Sequence, residues 1–209
     1  MSTVNPWLPA SGPDPVQPVP VVAGPELRAA ALARPQRGVR LPGGGLGRAR
    51  VSDHFPLWWV GAHGGAGVDV LTRLVPGTSS AGRYWPAPDT GEAACVVVCR
   101  SNAAGLAAAQ VAMTQWAAGA APAGTRLVGL VISADTDRKQ PKPLRELQAR
   151  VAGGAPRVWH LPWVEAWREQ IVPSLDAAPR SVISAVRDLV DLTTSLAVTA
   201  GDPTERNNR

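Results

Sequence analysis

The chain has 209 residues, 45% of them hydrophobic, enough for one domain of ordinary size with a tail to spare. No run approaches the ~18 apolar residues of a membrane helix, and no basic start followed by an apolar segment marks a secretory signal, so a cytoplasmic location is the expectation. The formal charge of +5 permits anionic partners without demonstrating them; Lys139 and Lys142 are the only lysines among 21 basic residues, an arginine bias that reads, beside the abundant Ala, Gly and Pro, as a GC-rich genome.

Residues 1–52 read as a disordered arm. Seven prolines fall in the first 25 positions, with few side chains able to build a core. Arg28, Arg34, Arg37, Arg40, Arg48 and Arg50 then follow without an acid between them, around a flexible "LPGGGLG" cluster. Two readings stay open: a basic arm for nucleic acid or an acidic protein surface, and a solvated linker, which is the plainer of the two. The lack of interleaved aromatics argues against single-strand binding in particular.

From residue 57 the pattern changes. Leu57–Gly61 is a short apolar strand, 66–74 a helix, and 76–92 a turn-rich stretch with Gly77, Gly82, Pro86, Pro88 and Gly91. Ala94–Cys99 is a continuous apolar run, as suits a strand covered on both faces. A helix over 105–118 carries Leu106, Met113 and Trp116, and Gly119–Gly124 breaks it. Further strands are expected over 126–133 and 157–161, with a helix over 143–151 between them. Pro162 should open a helix with Trp163 and Trp167 one turn apart. The last helix, over 179–200, has Val182, Ile183, Val186, Leu189, Val190 and Leu196 on one side, and 201–209 is a polar tail. Apolar strands alternating with helices imply an α/β domain over 53–200, with a mostly parallel sheet and helices on both faces.

Few side chains suggest chemistry. Cys95 and Cys99 sit about 13 Å apart on one strand face, at ~3.3 Å per residue, too far for a disulfide, and read as reduced core residues. His54, His63 and His160 are scattered, without metal-site spacing. Asp135 and Asp137, in "ADTDRK", are weak cleft candidates at a strand's C-terminal end, where capping is the plainer role. Trp58 and Trp59 must point to opposite faces of their strand, so one is free to meet a partner, although core packing suits most of the eight tryptophans.

The stretch "WWVGAHGGAGVDVL" carries the most information: a strand, a glycine loop and a helix start, the context of a phosphate loop. Such a loop curls backbone N–H groups around phosphates, adds the helix's positive end, and supplies a lysine for charge and a hydroxyl for Mg²⁺. Here Gly61, Gly64, Gly65 and Gly67 are present, with His63, Ala66, Val68 and Asp69 between and after them. Asp69 suits a first helical turn, yet it opposes an incoming anion.

The segment His63–Asp69 resembles the "KGGxGK[ST]" loop of the ParA/MinD family of P-loop ATPases. Over roughly residues 57–170 the order of motifs is similar too: Cys95–Cys99 answers to the family's "vvvvt" strand, Val128–Ser133 to "GvvlN", and Trp159–Pro162 to "g.iP". By that match His63 stands at the first lysine, Val68 at the second, Asp69 at the hydroxyl residue, and Ser133 at an Asn that reads the base. The family fits two more strands before the one at Cys95, one carrying the Walker B aspartate. Here only about 20 residues separate the first helix from that strand, and Asp89 and Glu92, the acids available, read as loop surface. The resemblance thus implies a shortened P-loop-like fold and a pseudo-ATPase that binds protein partners or itself, in a partitioning, cell-division, mobile-element or secretion system. No catalytic residue or metal ligand is assigned. The loop Gly61, His63, Gly64, Gly65, Ala66, Gly67, Val68 and Asp69 is the candidate site, with no cofactor expected and ATP or another anion left open. The alternatives are a working ATPase using His63, the loop backbone and Arg73, and a nucleic-acid binder acting through the arginine arm.

Overall fold

The computed structural model describes residues 39, 43–169, 172–176 and 178–201. Arg28, Arg34, Arg37 and Arg40, with most of the expected arm and the tail after 201, lie outside the described residues. In chain order the elements are β1 (Gly47–Val51), β2 (Leu57–Gly61), α1 (Val68–Leu74), β3 (Thr78–Ser80), β4 (Tyr84–Pro88), β5 (Ala93–Arg100), α2 (Ala103–Ala117), β6 (Thr125–Ser133), α3 (Lys142–Gly153), β7 (Val158–Leu161), α4 (Ala166–Glu169) and α5 (Arg180–Gly201). None of the described helices is long and apolar enough to cross a membrane.

Five strands form one parallel sheet in the order β3-β2-β5-β6-β7, and β1 and β4 form a separate parallel ribbon. β5 is the centre. Its β-branched run is buried on both faces, so alternate residues feed two cores. Cys95, Val97 and Cys99 meet α2, α3 and the ribbon through Leu106, Met113, Val151 and Trp85. Val96 and Val98 meet α1 and α5 through Leu71, Val182, Val186 and Leu189. The expected three-layer α/β arrangement is what these residues build. Trp58 and Trp59 divide between the two cores, and both are buried, so neither is left to face a partner. Cys95 and Cys99 are free, buried thiols; burial pushes Cys99 up to about 12 and raises Cys95 further, against a smaller opposing pull from Arg126.

A bulge where β6 passes Cys95 and Val96 inserts Val128 as an extra residue. It changes the alternation, so Leu127 and Leu130 both face the α2 side. Beside it, Gly129 has no room for a side chain: a Cβ would stand 2.5 Å from the Arg157 carbonyl oxygen and from the Trp159 ring.

Three expectations need correction. The boundary at residue 52 falls too late, because Gly47–Val51 is a strand paired with Tyr84–Pro88. Leu46 buries in the α2 core, and the Gln115 amide grips its backbone, accepting from Leu46 N at 2.9 Å and donating to Leu46 O at 3.2 Å. Arg48 and Arg50 therefore belong to the folded body; Arg48 donates to Ala120 O, and Arg50 pairs with Asp89 at 2.8 Å. The turn-rich stretch 76–92 contains two strands. Its prolines are tolerated because Pro86 and Pro88 lie in a two-stranded ribbon, where half the backbone groups need no ladder partner. Finally, no helix starts at Pro162. The chain continues to Val164, which buries beside Leu161, and only Ala166–Glu169 turns. Trp163 and Trp167 share no helix face: the first donates to Glu165 Oε2 at 2.7 Å, the second to Ser174 O at 2.8 Å.

Candidate functional site

β2 reaches its glycine loop at the point where the strand order reverses. The connection through α1 leads to β3 on one side of β2, while β5 flanks the other side. In open parallel sheets the crevice at such a point, beyond the strands' C-terminal ends, is where ligands bind. Gly61 N donates to Gly82 O at 2.7 Å and Ala62 N to Val98 O at 2.9 Å, fixing where the loop leaves the sheet. Gly65 (φ 75°) and Gly67 (φ 99°) then take the left-handed conformation that other residues resist. Because Gly67 is the N-cap in that conformation, the helix starts at Val68 and not at residue 66. Ala66 turns inward and is buried, whereas Gly64, Gly65 and Asp69 are exposed.

His63 is part of the scaffold. Its Nε2 accepts from Arg100 N at 3.1 Å, and its Nδ1 meets Gly64 O at 2.7 Å. A backbone N–H needs a lone pair and a carbonyl needs a proton, so this pattern fits the tautomer protonated on Nδ1. As placed, both ring nitrogens of His63 are engaged by backbone groups. Gly105 makes this packing possible, since a Cβ there would run into the Arg100 carbonyl oxygen and lie 2.9 Å from His63 Nε2. Arg73 sits exposed in the last turn of α1, at the far end of the helix from the loop.

The cation at the loop is Arg100, which sequence reasoning missed. It ends β5, and its side chain folds across the crevice: Nε donates to Gly65 O at 3.3 Å and Nη1 to Ala134 O at 3.0 Å. The available signal was a charged residue closing a buried apolar strand. What hid it was topology, because only the sheet order sets β5 beside β2.

Two clefts open at this end of the sheet. The first, about 100 Å³, lies between Gly67, Arg100 and the residues following β7, and Ser133 lines it. The second, about 270 Å³, shares Ala134, Leu161 and Pro162 with the first and is lined by Asn102, Asp135, Arg138 and His160. Asp135 accepts from Asn102 Nδ2 at 2.9 Å, while Asp137 meets only Thr136, so the two carboxylates do not converge. Asn102 also caps α2, accepting from Gly105 N at 2.7 Å. Partial burial holds His160 below its ordinary range. Among the described residues no three His, Cys, Asp or Glu side chains gather to hold a metal ion. Asp89 and Glu92 pair with Arg50 and Arg126 at the opposite end of β5 from the loop, on the surface as expected.

The fold and site together define an open, parallel α/β protein with a glycine-rich strand–helix loop at its switch point. Residues 55–186 match the model described as "Family of unknown function (DUF6668)", and the chain belongs to that family. No curated protein and no solved structure matches the chain.

Proposed function

We propose that the chain is a non-catalytic, ParA/MinD-like P-loop scaffold. It acts in the cytoplasm through contacts with protein partners or a second copy of itself, in a partitioning, mobile-element or secretion machine. The observation that carries this reading is that the groups which grip a magnesium–nucleotide are replaced around the glycine loop, with an arginine ending the neighbouring strand. A triphosphate with magnesium needs a cation after the last glycine, a hydroxyl beside it, and a carboxylate at a neighbouring strand end. Val68 and Asp69 occupy the first two places, and the strand beside the loop's own ends in Arg100. The residues present do not fit the magnesium–nucleotide group.

The energetic sign follows. Asp69 in the first turn stabilises α1 by ~0.3–1 kcal/mol. The same charge raises the cost of bringing phosphates to that end of the helix. Arg100 spends two of its donors on backbone carbonyls.

Equilibrium binding of labelled ATP with Mg²⁺ tests the reading, and no association is expected at micromolar concentrations. Micromolar affinity that Gly67→Asp abolishes would overturn it in favour of a working ATPase with an unusual loop.

A further inference from the structure

Arg100 is a half-buried cation, and none of the ion pairs among the described residues includes it. Its guanidinium is nonetheless fixed, because the Gly65 and Ala134 carbonyls hold Nε and Nη1. The remaining nitrogen, Nη2, lies against Gly67, 3.9 Å from where a Cβ on that glycine would stand. Neutral carbonyls orient the fork without cancelling its charge. A cation partly removed from water and compensated only by dipoles is a receptor for an anion, and holding it in advance lowers the entropy lost on binding.

The cleft beside it has a matching character. Its walls are mostly apolar, including Val70, Leu71, Leu161, Trp163 and Trp167, and no Asp or Glu lines it. Its second cation, Arg168, is already paired with Glu165 at 3.1 Å and lies 5.8 Å over the Trp163 ring. Arg100 is therefore the lining cation without a carboxylate partner.

We infer that this cleft binds a small monocarboxylate with a short apolar or aromatic body. The carboxylate pairs with the free Nη2 of Arg100 in a charge-assisted hydrogen bond, and the body packs on the tryptophans and Val70. The volume, about 100 Å³, is smaller than the ~150 Å³ that encloses benzene, so a ring enters in part and the cleft's open mouth takes the rest. Asp69, exposed in the first turn beyond Gly67, disfavours more highly charged anions. This deepens the reading above and rests on it in one respect, that no triphosphate fills the loop.

The test titrates the full chain with sodium benzoate, with benzamide (the same shape without the charge), with inorganic phosphate and with Mg-ATP, followed by calorimetry and tryptophan fluorescence. Benzoate should saturate with a Kd of about 1 mM or tighter. Benzamide should bind at least about tenfold more weakly, and Arg100→Gln should weaken benzoate about tenfold to a hundredfold. Arg73→Gln, at the far end of α1, should change nothing. Equal affinity for benzamide, phosphate binding in place of benzoate, an unaffected Arg100→Gln variant, or no saturation each overturns the inference. If Arg100→Gln does not fold, the benzoate–benzamide comparison on the unaltered chain decides. Tight Mg-ATP binding would overturn the scaffold reading, whereas silence toward both ATP and benzoate removes only the carboxylate.

Discussion

Gln115 offers a direct test of where the folded body begins. Its amide makes three contacts with the ribbon: Oε1 accepts from Leu46 N at 2.9 Å and from Trp85 Nε1 at 3.3 Å, and Nε2 donates to Leu46 O at 3.2 Å. Gln115→Ala removes all three. At a net ~1 kcal/mol per hydrogen bond the loss is about 3 kcal/mol; the fully buried Trp85, left with an unpaired donor, raises it, and undocking of β1 to water limits it. A loss of about 2–4 kcal/mol is therefore expected in urea unfolding, with new protease cleavage at Arg48 and Arg50. Removing residues 1–52 should lower the unfolding midpoint by at least as much as Gln115→Ala. A Gln115→Ala midpoint within ~0.5 kcal/mol of the parent, without new cleavage, would show that residues 46–51 contribute nothing to the body and refute the reasoning.

Gly129→Ala should cost about 1–3 kcal/mol by chemical denaturation, because its Cβ meets backbone at Arg157, which cannot swing aside; Gly153→Ala, with nothing within 4 Å, is the control and should not destabilise. His160 is held below its ordinary 6.5 in the folded chain, so its contribution is fully present above that pH and is lost as pH falls. With the ring still exposed, the effect in urea melts at pH 7.5 and 5.5 should stay under about 1 kcal/mol, and His160→Gln should remove it; an unchanged pH slope in that variant would refute the assignment. Val68→Lys combined with Asp69→Thr should raise Mg-ATP affinity at least about tenfold without turnover, since Arg100 still ends the neighbouring strand. Phosphate release above background from that variant would contradict the account of what the site lacks.

The sheet was legible where burial writes a continuous signal. The runs at 94–99 and 126–133 are apolar because both their faces are covered, and glycines or prolines punctuate what lies between. The ribbon was hidden because β1 alternates arginines with small residues and β4 is two-fifths proline; what makes them strands is each other, and the distant Gln115. Trp163 and Trp167 have helical spacing but are drawn apart by Glu165 and Ser174, contacts that local periodicity does not encode. At the loop the glycines announced the turn correctly, whereas the partner of His63 could not be read. Arg100 lies 37 residues away, and only the pairing of β2 with β5 joins them.

Both native thiols are sealed inside the protein, and that has a practical consequence. Burial holds the Cys99 thiol far above its ordinary range, which keeps it in the unreactive protonated form at pH 8, and the route to it is closed. The unaltered chain should thus be silent toward maleimides. A cysteine introduced at Gly64, exposed and with open space around it, would then be a single addressable handle, and a dye attached there would report on the crevice without background from the interior.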